Sequence, residues 1–349
     1  MCRGGPDGAG EQVGPGVDRA KAWGHFAVMI SELPRIDYTR HPAYGGMFAP
    51  DAAMRDKALG ILSPLVAEMG EIEAQRVGRF GYNYGHVNRQ GEELAAEGLT
   101  RLQLPHDLME PVHAAALPVI GAIQGRIDQT RGAGKAIRFK TVEEKLGPQT
   151  HGELWRAVDR FLQEMAIYDT VTAFFGARSA RINGLALFVN PAGQDWASKV
   201  FRDLDLETPA TAGFHIDSNG KCYIKGILHL NDVGEEQGPT GVIPKSHLWG
   251  RGSQDRIYRR AFDRSPLLAR SADARRMFLS LPQEMQVKAE FGGDMIPGSA
   301  EAQALLASEI RAVGPKGLLT LFDPDAVHRG GNVRAGERHA LQLVLTAQY

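Results

Sequence analysis

Cysteine is scarce in this chain: 349 residues contain only Cys2 and Cys222. Cys2 lies in a loose N-terminal stretch, so no structural disulfide between the two is expected, and the usage suits a reducing cytoplasm. Net charge is scarce too. Forty basic side chains stand against 41 acidic ones, a balance of −1, which excludes the broad basic field of a nucleic-acid or acidic-membrane binder. No apolar run is long enough to span a bilayer. The opening residues, MCRGGPDGAGEQVGPG, lack the apolar stretch of a secretory signal. This Gly-rich segment is expected to be disordered to about residue 18. There is no internal repeat.

What remains is the composition of an ordinary globular protein, long enough to bury a sizeable core. Residues from about 52 to 176 read mainly as helix. The clearest stripe is Leu154, Val158, Phe161, Leu162 and Met165, which recur at helical spacing and are expected to pack in the core. Gly176 is a stop signal. Beyond it, short β-branched and apolar runs alternate with Gly, Pro, Asn and Asp clusters, predicting strands at Leu185 to Val189, Cys222 to Leu230, Gly317 to Phe322 and Ala340 to Thr346. An insert, roughly 250 to 315, interrupts them. Its first part carries Arg251, Arg256, Arg259, Arg260, Arg264, Arg270, Arg275 and Arg276 against Asp255, Asp263 and Asp273. Two readings compete: a solvated helical face, or a lid or subunit contact that favours an anionic substrate.

The chemistry concentrates in two segments. In TAGFHIDSNGKCYIKGILHLND, His215 and Asp217 are two residues apart. On an extended backbone their side chains leave the same face, close enough to share a metal ion. His-x-Asp alone is weak evidence and needs a third ligand. GLLTLFDPDAVHRGGNVRAGERHALQLVLTAQY offers one: a strand ends at Asp323-Pro324-Asp325, and His328 follows. Two imidazoles and a carboxylate on one face leave positions open, as non-haem iron(II) requires, although zinc accepts the same ligands. Arg338 helps to decide. On an alternating last strand it shares a face with Ala340, Gln342 and Val344, and a guanidinium is suited to clamp the distal carboxylate of 2-oxoglutarate. Arg329 and Arg334 are competitors placed in a Gly-rich turn. His229 and His339 read as packed or surface residues, and His247 as a cap or barrel-lining residue. Lys225 and Tyr223 share a face that points either into the barrel or away from it.

The order His215-x-Asp217, HLNDVGEEQGPTGVIPKSH, LFDPDAVHRGG and Arg338 resembles the phytanoyl-CoA dioxygenase family of iron(II)/2-oxoglutarate oxygenases, over roughly residues 180 to 349. Where that family more often has Pro-Gly-Ser-His, this chain has Lys245. The resemblance implies a mainly β fold with flanking helices, built on a double-stranded β-helix (a cupin-like jelly roll). It implies that His215, Asp217 and His328 bind iron and carry catalysis, that Arg338 binds the cosubstrate, and that the cofactors are Fe(II), 2-oxoglutarate and O2. For the keto acid end, Asn190 and Lys199 are both candidates. The expected organisation is a tail over 1–18 and one oxygenase domain over 19–349. Within it lie a helical part at about 52–176, a jelly-roll core at about 177–349 and a lid-like insert at about 250–315. The expected reaction is hydroxylation of an unactivated C–H bond of a small molecule, with an anionic group favoured by the insert's arginines. Asp217 argues against halogenation, because related halogenases have a small residue there. A cupin-type metal-dependent isomerase or hydrolase, or a catalytically silent binding protein on the same scaffold, are the competing readings.

Overall fold

The computed structural model describes residues 51–80, 85–194, 197–201, 206–209, 217, 222–248, 254–268, 272–282, 285 and 307–349. The expected disordered tail, Cys2 and His215 lie outside them.

Helices come first along the chain. They are α1 (Ala52–Phe80), α2 (Arg89–Glu97), α3 (His106–Gly132), the single turn α4 (Phe139–Val142), α5 (Gly152–Glu164) and α6 (Ile167–Phe175). Asn88 caps α2 by accepting from the Gly91 amide. The spacing that predicts α5 buries Leu154, Val158, Phe161 and Leu162, and Gly176 closes α6 in the left-handed conformation. Two short strands interrupt this half, β1 (Leu99–Gln103) and β2 (Glu143–Leu146). Runs of five and four residues are too short for a period-2 pattern to stand out among helices, and neither was expected.

The remaining strands are β3 (Ser179–Pro191), β4 (Ala197–Phe201), β5 (Leu206–Pro209), β6 (Tyr223–His229), β7 (Gly241–Val242), β8 (Ile310–Arg311), β9 (Leu318–Phe322), β10 (His328–Arg329) and β11 (Glu337–Gln348). Two helices, α7 (Gln254–Arg264) and α8 (Ala272–Leu279), belong to the insert. A six-stranded antiparallel sheet runs β1-β9-β6-β11-β3-β2, and a small sheet runs β10-β7-β8. Past β6 the chain crosses to the small sheet for β7 and β8, returns for β9, crosses again for β10 and returns for β11. This alternation between two antiparallel sheets is the double-stranded β-helix, or jelly roll.

Period-2 alternation separates two environments on the large sheet. Leu185, Leu187, Val189, Ile224, Leu228, Leu319, Leu321, Leu341, Leu343 and Leu345 join the apolar core made with Ile123, Val158, Phe161 and Phe174 of the helices. Gly226 sits among them because a Cβ there would meet Leu321 and Leu343 at 3.1–3.2 Å. The opposite face carries Phe188, Asn190, Lys225, Ile227, Phe322, Arg338, Ala340 and Gln342, which line a cavity. A second apolar cluster joins Ala58 and Leu62 of α1 to Phe262 of α7 and Met277 and Phe278 of α8. No described helix is long and apolar enough to cross a membrane.

Lys245, where the resembled family favours glycine, has φ +63°. A side chain in that left-handed region costs roughly 1–2 kcal/mol. Its ammonium lies 3.5 Å from Glu97, but the side chain is 64% exposed, so the pair contributes little. Glycine there relieves the strain and loses more entropy on folding. Lys245→Gly is therefore expected to be neutral or stabilising by up to about 1 kcal/mol in urea unfolding. A loss of stability would contradict the strain.

Candidate functional site

The site is organised by a turn, residues 323–326, between β9 and β10. The Asp325 amide donates to Asp323 Oδ1 at 2.9 Å, and the Ala326 amide donates to the Asp323 carbonyl, so the aspartate side chain folds its own loop. The turn is then fastened from outside. The Asp323 amide donates to the Gly98 carbonyl, and the Ile243 amide donates to the Val327 carbonyl. Ser246 Oγ accepts from the Val327 amide at 2.7 Å. The Asp217 amide donates to the Pro324 carbonyl at 2.9 Å. The two segments that carry Asp217 and His328 are thus joined through backbone before any side-chain contact.

His328 is buried, with its ring 4.8 Å from that of Phe322. Its Nδ1 lies 2.9 Å from the Ala326 carbonyl, which can only accept. Nδ1 therefore carries the proton, and the lone pair belongs to Nε2. That Nε2 is 3.7 Å from Asp217 Oδ2. Lys225 donates to the same oxygen at 2.6 Å, so the carboxylate already holds one cation. Burial, followed by the charge of Asp217, pushes the Tyr223 hydroxyl pKa far up and keeps it protonated.

Asp217 and His328 line a cavity of about 250 Å³ with Asn190, Lys225, Thr240, Arg329, Arg338, Ala340 and Gln342. The expected alternation on β11 holds for Arg338, Ala340 and Gln342, which all face this space. Arg338 is buried, and its Nε and Nη2 donate to Asn190 Oδ1 at 3.3 and 3.0 Å. Its Nη1 donates to the Gly238 carbonyl. Burial lowers its pKa to about 10, so it remains a cation at neutral pH. Asn190 in turn donates to Gln194 at 2.9 Å.

The competing groups separate clearly. Arg329 lines the cavity, but Glu309 holds it through two bonds of 2.6 and 2.7 Å. Arg334 is exposed and paired with Glu236. Lys225 enters the barrel. His247 is buried, with Nε2 3.2 Å from the Ala95 carbonyl. His339 pairs with Glu337 on its own strand. The Lys199 side chain and His215 lie outside the described residues. Among the described residues no cluster of three potential metal ligands forms; Asp217 and His328 are the members of the expected triad that come together.

A family model described as phytanoyl-CoA dioxygenase (PhyH) matches residues 156–340, more than half of the chain. The chain belongs to the phytanoyl-CoA dioxygenase family. It is an oxygenase of that family, whose cofactors are iron(II), 2-oxoglutarate and dioxygen. No curated protein matches significantly. Among solved structures it is similar to EctD from S. alaskensis with bound Fe, at 16% identity over 76% of this chain and 78% of that one, with TM-score 0.42. It is also similar to AviO1 from Streptomyces viridochromogenes Tue57, at 13% identity over 74% and 93%, with TM-score 0.39. A third is SnoN, a non-heme alpha ketoglutarate dependent epimerase from nogalamycin biosynthesis, at 14% over 74% and 81%, with TM-score 0.38.

The residues present fit this family's cofactors. The His328 Nε2 and an Asp217 carboxylate oxygen lie 3.7 Å apart, within reach of a single divalent ion. The same cavity holds a buried guanidinium suited to a dicarboxylate.

His229 is fully buried on β6, on the strand face shared by Lys225 and Ile227 and opposite Ala340. Burial, and then the charge of Arg338, lower its pKa to about 4. The folded protein keeps it neutral, while the unfolded chain takes up a proton near pH 6.5. Its contribution is therefore complete above pH 6.5 and lost as pH falls from 6.5 toward 4, by about 3 kcal/mol at the lower end. Urea midpoints should fall less between pH 7 and pH 5 in His229→Gln than in the wild type. Equal slopes would show that another group controls the acid limb.

Proposed function

We propose that the protein is an iron(II)/2-oxoglutarate-dependent hydroxylase acting on an unactivated C–H bond of a small molecule. The observation that carries the reading is a single cavity lined by Asp217, His328 and Arg338, with Asp217 Oδ2 and His328 Nε2 3.7 Å apart. In this reading His215, Asp217 and His328 hold the iron, and Arg338 holds the distal carboxylate of 2-oxoglutarate. Bound iron, 2-oxoglutarate and dioxygen supply the oxidising chemistry: one oxygen atom enters the substrate C–H bond, and the other enters succinate as carbon dioxide leaves.

The chain's own residues supply position and protection. The Ala326 carbonyl fixes the His328 tautomer so that Nε2 is the ligand atom. Arg338 is preorganised by Asn190 and Gly238, so it loses little freedom on meeting a carboxylate. Phe188, Ile227 and Phe322 give the cavity part of an apolar wall. Lys225 must yield Asp217 when a metal arrives, and its ammonium is then available to another anion in the cavity. Arg329 is already neutralised by Glu309, which leaves Lys225 as the better partner for an anionic substrate group.

Arg338→Ala removes charged hydrogen bonds that contribute about 1.5–3 kcal/mol, so 2-oxoglutarate should bind roughly 10- to 100-fold more weakly with iron affinity unchanged. Calorimetric titration of the anaerobic iron-loaded protein measures this. Equal affinity in the variant would remove Arg338 from the site. With 18O2 and a turned-over substrate, hydroxylation places one labelled oxygen in the product and one in succinate. Product formed without 2-oxoglutarate would instead support a metal-dependent isomerase or hydrolase.

A further inference from the structure

The insert supplies the observation. Arg260 lies on α7, within the arginine-rich stretch that reads as a solvated face or an anion-binding lid. It fits neither description, being 1% exposed. Its Nη2 donates to Asp325 Oδ2 at 2.5 Å, and its Nη1 is 3.7 Å from Glu73 Oε2 on α1. The two carboxylates are also almost wholly enclosed. Arg264, one turn further along, is exposed and pairs with Glu68. The arginines of one helix therefore do different things.

A buried cation between two buried carboxylates is an expensive way to pack a helix. Desolvation consumes most of the attraction, and an apolar side chain of similar size often serves stability as well or better. Apolar packing of α7 is already provided by Phe262, which meets Phe278 edge to face at 5.7 Å, and by Leu62. What Arg260 adds is direction. Asp325 belongs to the turn that precedes His328 by three residues, and the neighbouring Pro324 carbonyl accepts from the Asp217 amide. A charged hydrogen bond between buried groups holds the Asp325 carboxylate at a set distance from α7. Without the cation, both buried carboxylates would lose the charged partner that holds them at 2.5 and 3.7 Å, and burial would then disfavour their charged forms.

We propose that Arg260 is a positioning residue that holds the turn before His328 in its metal-binding geometry, and so couples the packing of α7 to metal affinity. This rests on the reading of His328 and Asp217 as ligands. When α7 is docked, Asp325 is held and the two ligand segments stay in register; when α7 lifts away, the turn loses its buried anchor. The dependence is reciprocal, so metal binding must also favour the packed position of α7.

The test uses the full-length protein and Mn(II), whose free fraction is read by electron paramagnetic resonance. Asp325→Asn and Arg260→Met should weaken Mn(II) binding about tenfold or more, with Arg260→Lys recovering part of the loss. Leu162→Ala in α5, which lowers the urea midpoint through the main core, and Arg264→Gln on the same face of the chain should leave Mn(II) affinity unchanged. In the wild type, Mn(II) with 2-oxoglutarate should slow amide hydrogen exchange across residues 254–264, a readout that survives poor folding of any variant. If His328→Ala abolishes Mn(II) binding while Asp325→Asn leaves it intact, or if exchange in 254–264 does not respond to metal, Arg260 is only structural and the proposal falls. If Mn(II) binding survives His328→Ala, the ligand reading falls and takes the proposal with it.

Discussion

The architecture around the site depends on the turn at residues 323–326. Asp323 closes it with its own side chain, and Gly98, Ile243, Ser246, Asp217 and Arg260 fasten it and the adjoining Val327 from separate parts of the chain. A loop of this kind would ordinarily lie at the surface because its backbone polar groups need partners. Here the partners come from protein, so the turn can be buried at the barrel mouth. His328 and Asp217 face each other because their backbones are tied to the same few residues.

The second constraint is the division of the large sheet into two faces. One is continuous leucine, isoleucine and valine against the helices. The other places Arg338, Asn190, Lys225 and His229 inside a barrel whose walls also include Phe188, Ile227 and Phe322. Burying these polar groups costs stability, which the thick helical layer on the opposite face offsets. The same low-dielectric surroundings that lower the Arg338 pKa also strengthen its attraction for an incoming carboxylate. Stability is thus concentrated on one side of the sheet and recognition on the other.

Much of this was legible in the sequence because it is local. Alternation on β11 aligns Arg338 with Ala340 and Gln342, and helical spacing brings together the α5 stripe. The Asp-Pro-Asp turn ahead of His328 is a local signal as well. What escaped is non-local or too short. β1 and β2 are edge strands recognisable only by their pairing with β9 and β3. Arg260 looks like its neighbours in sequence, and its burial depends on Asp325, 65 residues away, and on Glu73 of the first helix. The withdrawal of Arg329 into a pair with Glu309 is equally invisible from the chain alone. His215 remains an assignment from the His-x-Asp pattern.

The most direct test of the account is an anaerobic titration of the metal-free protein with iron(II) and then 2-oxoglutarate, read in the visible spectrum. A weak charge-transfer band that develops in the wild type and is lost in His215→Ala and His328→Ala is the predicted result. It would mean that one cavity holds the metal and chelates the keto acid. Iron binding with no band on adding 2-oxoglutarate would contradict the account at its centre, because the pocket would then hold a metal without the cosubstrate that defines the chemistry.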